Sequence, residues 1–317
     1  MDQRVYYKII ILITLLFSLL VGSKFYGFGH DYYVAYYKQN LDYGWWYDRL
    51  GFAISTLTIY NMRVGVYIVS FLLALSFGLL LQKFFFYKKL NSVFFFILIY
   101  ILGLHTWPII MSTSNAMRQG ITMSLIFLTF AYLIDSKKLK SFFPIFISIF
   151  THKSGVIFFL IYIYLFIIKF FFNYKKINKY RILIYIISGL LVCITFYYLI
   201  LYTPNIEIQT SRIISKDYRY PFLITSFAYV SMFIFYFKFL KNNYLVSFLY
   251  LFIFMTFALI LLGLNWEYER FMMMVTLPLI LVFSLCFNKR SSYLYLFLAV
   301  SMLLVLTIFN GMYKSLV

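Results

Sequence analysis

Apolar runs recur along the chain near residues 5–22, 64–82, 92–110, 118–135, 182–201, 223–240, 244–264, 271–287 and 292–309. Each is about 20 residues long, the length an α-helix needs to cross a hydrocarbon core of about 30 Å at 1.5 Å per residue. The pattern predicts an all-α, polytopic integral membrane protein. Between Lys140 and Lys169 the apolar stretch has about 28 residues, too few for two full crossings, yet basic clusters flank both ends. This stretch is expected to enter and return as two short helices, with Thr151, His152, Lys153, Ser154 and Gly155 turning near mid-membrane or above it. Counting both arms gives about 11 membrane segments.

Polar positions orient the spans. Lys83, Lys88 and Lys89, then Lys137, Lys138 and Lys140, then Lys169, Lys175, Lys176, Lys179 and Arg181 fall in short gaps between apolar runs, as do Lys238 with Lys241 and Lys289 with Arg290. Short basic loops are retained in the cytoplasm, so the N terminus is expected inside and the C terminus outside. Longer external loops then fall near 23–63 and 203–222. With no Gly-rich linker and no detectable repeat, residues 1–317 read as a single transmembrane domain. The run near 5–22 lacks a small-residue cleavage site and reads as a retained span, not a signal peptide.

Composition agrees with lipid as the solvent: 64% of residues are apolar and 12% charged, and the mean hydropathy is +0.90. The formal net charge of +19 is an orientation signal and not a nucleic-acid footprint, because the basic residues form no solvated arm or face. Aromatic residues reach 24%, but Lys, Asn and Ile are abundant with them, as an AT-rich coding sequence gives without functional pressure. Only aromatic position is informative. Cys193 and Cys286 sit inside apolar runs without ligand partners, so no disulfide framework or zinc site is expected. No Asp-rich metal motif occurs, and no metal or other cofactor is expected.

Ionisable groups in or beside spans are expensive and therefore candidates for function. The turn after the third span reads SNAMRQG, placing Asn115 and Arg118 on one helical face with Gln119 beside them. The hairpin tip THKSG supplies His152 and Lys153, and NWEYER after Leu264 supplies Glu267, Glu269 and Arg270. A second external loop, TSRIISKDYRYP, adds Arg212 and Arg219. Arg118 and Arg270 have an alternative reading as interfacial anchors, but a basic residue at a helix start opposes the macrodipole, and both are read as functional. His152 alone is as consistent with a satisfied core histidine as with a reactive one. The first external loop carries Asp31, Tyr32, Asp42 and Trp45; its aromatic residues suit an interfacial belt or a platform for sugar rings.

Taken in order, Asp31-Tyr32, the Asp42-x-Gly44-Trp45 segment, Asn115-x-x-Arg118-Gln119 and the His152-x-Ser154 turn resemble the EpsG-type branch of the Wzy polysaccharide polymerases. The resemblance covers most of the chain. It departs at Asp42, where the family is associated with Glu, and at Tyr43, where Pro is frequent. The resemblance implies a GT-C-like architecture in the bacterial cytoplasmic membrane. It also implies an enzyme that joins undecaprenyl-diphosphate-linked oligosaccharide repeats on the outer face, into O-antigen, capsule or exopolysaccharide. Its partners would be the lipid-linked donor and acceptor, membrane lipid and a chain-length regulator protein, and not nucleic acid.

In that chemistry a hydroxyl of one repeat attacks the anomeric carbon of the growing chain, with inversion, and a lipid diphosphate leaves. Arg118 and Arg270, helped by Arg212, Arg219 and Lys153, are expected to hold the diphosphate, because guanidinium groups give bidentate, permanently charged contacts. His152 suits the general base by its ordinary acidity, with Asp31 and Glu267 as alternatives. A base at 152 implies that Gln there is nearly as damaging as Ala. Asn115, Gln119, Asp42, Tyr32 and Trp45 would position substrate. A lipid-linked oligosaccharide flippase would share the basic cavity, but should show paired broken helices in internal repeats. A polysaccharide ligase shares the donor and differs in acceptor, and a membrane acyltransferase would place its histidine and arginine at the cytoplasmic side.

Overall fold

A computed structural model describes residues 3–29, 49–56, 64–172, 181–201, 244–261 and 265–309. Every regular element among them is helical. In chain order these are α1 (Gln3–Gly22), α2 (Arg49–Thr56), α3 (Val64–Lys88), α4 (Val93–Leu104), α5 (Trp107–Ser114), α6 (Met117–Ile134), α7 (Lys138–Ser148) and α8 (Lys153–Phe172). There follow α9 (Arg181–Leu201), α10 (Tyr244–Leu261), α11 (Asn265–Phe283) and α12 (Lys289–Phe309), with a single 3₁₀ turn at Ser284–Cys286. Five of the described helices are long and apolar enough to cross a membrane, and the bent α4–α5 pair makes a sixth. Shorter apolar stretches lie in α9, α10 and the end of α11. The span expected near 223–240 and the loop near 203–222 lie outside the described residues.

The chain forms two compact units, Met1–Val156 with Ile280–Val317, and Ile157–Leu279. In the first, α3 is the central helix, buried along most of its length. It runs antiparallel to α1, with Gly22 of α1 beside Tyr67 and Ile10 beside Gly78. Hydroxyl groups cross-link this pair where no water competes. Thr14 Oγ1 lies 2.8 Å from the Tyr100 hydroxyl, which donates to the Ala74 carbonyl, and Ser18 donates to the Tyr67 carbonyl. The C-terminal ends of α3 and α6 are tied by Asp135, 2.6 Å from Lys83 and 3.3 Å from Lys137. These ends, with the starts of α1, α4, α7 and α12, collect Arg4, Lys8, Lys83, Lys88, Lys89, Lys137, Lys138, Lys140, Lys289 and Arg290 at one basic end of the unit.

Three sequence expectations are corrected. The run near 92–110 is not one continuous helix: it breaks at His105 and Thr106, and α5 leaves α4 at 54°. Pro108 lacks the N–H that would reach Leu104 in a continuous helix, and its ring restricts Trp107, so a new helix begins with Pro in its first turn. The second arm of the hairpin is not short, because α8 has 20 residues. Nothing between Val156 and Phe172 breaks a helix, whereas α7 ends after 11 residues in tight turns at Ile149 to Thr151. Asn265 to Arg270, outside the span expected near 271–287, form the opening turns of α11.

In the second unit α9 packs on α10, and Gly189 lets the backbone approach Phe254 and Met255 closely. Tyr185 stacks on Tyr250 at 5.5 Å. Phe158 stacks on Phe252 at 5.4 Å and meets Phe271 edge-on. Cys193 is buried and unbridged, a packing residue as its apolar setting suggested.

Candidate functional site

At the end of the first unit opposite the basic end, α6 and α8 begin. The chain leaves α5 through Asn115, which is buried, and starts α6 at Met117, so Arg118 and Gln119 occupy its first turn. Arg118 is half-buried. Gln119 is buried, and its side-chain nitrogen has no hydrogen-bond partner among the described residues. Leaving such a donor unpaired costs about 1–3 kcal/mol, which an incoming oxygen would recover.

The hairpin tip is fixed against this helix start. Thr122, one turn after Arg118, approaches the Arg118 carbonyl at 3.0 Å and Thr151 Oγ1 at 2.7 Å. Thr151 also lies 2.8 Å from the Ser148 carbonyl that closes α7. Since α7 rises about 16 Å from Lys138 at 1.5 Å per residue, the tip stands in the half of the unit away from the basic end. Gly155 allows the start of α8 to lie on the Ser148 carbonyl, where any Cβ would collide.

His152 is the residue before α8 and is buried. Its Nδ1 accepts the Ser154 backbone N–H at 3.2 Å and lies 2.8 Å from Ser154 Oγ. An imidazole is thus used as the N-cap of α8, where Ser, Thr, Asn or Asp is usual. A backbone N–H is only a donor, so Nδ1 is unprotonated in this geometry and the neutral ring carries its proton on Nε2. The His-x-Ser spacing is the local signal for this arrangement.

The residues on either side of segment 30–48 meet at this same place. Gly29, two residues before Asp31, lies against the Asn115 side chain so closely that a Cβ would overlap it. At the other end, the Leu50 and Gly51 N–H groups donate to the Phe150 carbonyl at 2.9 and 3.4 Å, and a Cβ on Gly51 would strike the Thr151 carbonyl. The short helix α2, unforeseen from sequence, therefore clamps the tip at the Phe150 and Thr151 carbonyls. Replacing Gly51 by Ala should lift α2 and displace the tip; displacements of about 1 Å cost about 10²-fold in turnover. Ala53→Gly in the same helix is the control and should leave activity intact. The activity of the two purified variants checks this, and an unchanged Gly51→Ala variant would remove the positioning role of α2.

Asn115, Arg118, Gln119, His152 and Lys153 are thus brought to neighbouring helix starts. Asp31, Tyr32, Asp42, Trp45, Arg212 and Arg219 lie outside the described residues. Glu267 and Arg270 fall in α11 of the second unit, with side chains outside the described set. Sequence reading placed Thr151 in the turn but missed its link to Thr122, and it missed Gly29 and Gly51.

A scan of protein families matches residues 7–316 to the EpsG family. The chain belongs to the EpsG family. The match covers nearly all of the chain, in agreement with the resemblance carried by its short motifs. Comparison with curated proteins and with solved structures returns no match. As an EpsG-family protein with several membrane-crossing helices, it is a multi-pass membrane protein whose family points to polysaccharide polymerisation.

Proposed function

We propose that this EpsG-family protein joins undecaprenyl-diphosphate-linked oligosaccharide repeats into a surface polysaccharide on the outer face of the bacterial cytoplasmic membrane. The observation that carries this reading is the pairing of the α6 and α8 starts through Thr122 and Thr151, which sets Arg118 and Lys153 in the first turns of both helices. Helix N termini are positive ends that favour anions. Cations placed at these ends add to that preference, and a lipid diphosphate is an anion of the matching chemistry.

The reaction breaks the bond between the anomeric carbon of the growing chain and its phosphate oxygen. The electron pair leaves with the lipid diphosphate, held by Arg118 and Lys153, and by Arg270, Arg212 and Arg219 from segments beyond this site. An acceptor hydroxyl forms the new glycosidic bond from the opposite side, inverting the centre, and its proton passes to a carboxylate, Asp31 or Glu267. His152 presents Nε2–H as a donor to the diphosphate or to a sugar oxygen. Asn115 and Gln119 offer amides at the same place, and the loop rooted at Gly29 and Gly51 carries Tyr32, Asp42 and Trp45 for the sugars. The basic end faces the cytoplasm in this arrangement.

Deleting the gene and sizing the polysaccharide tests the reading. Product stopped at a single lipid-linked repeat supports a polymerase, whereas loss of all surface product would show transport instead.

A further inference from the structure

At the basic end of the first unit, α4 and α12 leave a groove of about 460 Å³ between their opening turns. Phe94 and Leu98 of α4 and Leu294 and Phe297 of α12 form its walls, and Arg290 stands at its rim. Phe94 and Leu294 are 68% and 59% exposed. The floor is held firmly. The Tyr293 hydroxyl accepts the Asn91 and Ser92 N–H groups at 2.7 and 3.0 Å, and its ring lies 5.0 Å from Phe95.

We infer that this groove is a binding site for an anionic glycerophospholipid of the leaflet at the basic end. An acyl chain is the occupant that apolar walls at the edge of a membrane-crossing helix pair will accept. The volume falls in the range of small-ligand sites, roughly 300–1,000 Å³. Charge selects the headgroup. Arg290 lines the groove, Lys289 precedes it at the start of α12, Lys88 and Lys89 lie at the turn from α3 to α4, and neither 84–98 nor 284–298 contains an acid. Lys88 donates to the Leu285 and Phe287 carbonyls at 3.0 and 2.6 Å, fixing a cation behind the helix start, and Arg290 offers the planar fork that grips a phosphate. The groove lies at the opposite end from Arg118 and His152, so the lipid diphosphate of the proposed reaction is not its ligand.

Native mass spectrometry of the delipidated protein, titrated with palmitoyl-oleoyl phosphatidylglycerol, the matching phosphatidylcholine or undecaprenyl phosphate, tests the site. Phosphatidylglycerol should be retained about fivefold better than phosphatidylcholine, the effect of about one interfacial basic contact. Arg290→Gln should remove that preference, and Leu98→Trp, which fills the groove, should lower phosphatidylglycerol retention with Arg290 intact. Lys137→Gln at the same end should change neither. Should Leu98→Trp fail to fold, the exposed Arg290→Gln change still decides. Equal retention of the two phospholipids, an unchanged Arg290→Gln variant, or displacement of phosphatidylglycerol by equimolar undecaprenyl phosphate would overturn the assignment.

Discussion

Arg118→Lys is expected to reduce polymer formation by about 10²- to 10³-fold, the loss seen when one preorganised donor to developing negative charge is removed. Charge is conserved in this variant, so any effect of helix-end electrostatics on stability is conserved as well. What disappears is the planar, bidentate contact that a flexible ammonium cannot reproduce. Arg118 is half-buried in the first turn of α6, one turn from the Thr122–Thr151 link, so its backbone is well fixed and the shorter ammonium has no easy compensation. The purified variant, supplied with lipid-linked repeats, should show a normal melting temperature and few products beyond the single repeat. Ladders near normal would reduce Arg118 to an interfacial anchor.

The membrane-crossing helices were legible because hydropathy is their main physical requirement. α1, α3, α6 and α12 begin and end close to their apolar runs, and the basic clusters gather at one end of the first unit as expected. The break after α4 was signalled by Pro108, which a hydropathy window averages away. α2 was hidden for a different reason: its eight residues, RLGFAIST, have too little apolar length to stand out from an aromatic loop.

Site residues divide along the same line. Arg118 and His152 announce themselves because charge and imidazole are costly in a span. Thr122 and Thr151 do not, since most hydroxyls in these helices bond their own preceding turn, as Ser70, Thr129 and Thr276 do. Only the three-dimensional meeting of two such residues reveals the link between motifs. Gly29 and Gly51 likewise read as ordinary loop glycines until the Asn115 side chain and the Thr151 carbonyl are seen against them. The contacts that assemble the site therefore come from residues with no individual chemical signature.

His152 gives the second large expected effect, and the donor role proposed for it reverses the expectation for one variant. With Nδ1 accepting the Ser154 N–H, the neutral ring offers Nε2–H, which donates and cannot accept a proton. His152→Ala should lose about 10²- to 10³-fold in turnover through the missing donor. Its lost helix cap should also cost about 1 kcal/mol of stability. His152→Gln, whose amide nitrogen reaches roughly where Nε2 stands, should stay within about tenfold of the parent, while His152→Glu, which offers only acceptors at neutral pH, should be as poor as Ala. A general base predicts the opposite order, with Gln as damaging as Ala and Glu the partial rescue. Acidification does not separate the two roles, because protonation of Nδ1 breaks the cap in one and occupies the base in the other. Single-turnover rates for the three variants at neutral pH do: a Glu variant faster than Gln would return the base to position 152 and leave Asp31 and Glu267 to other work.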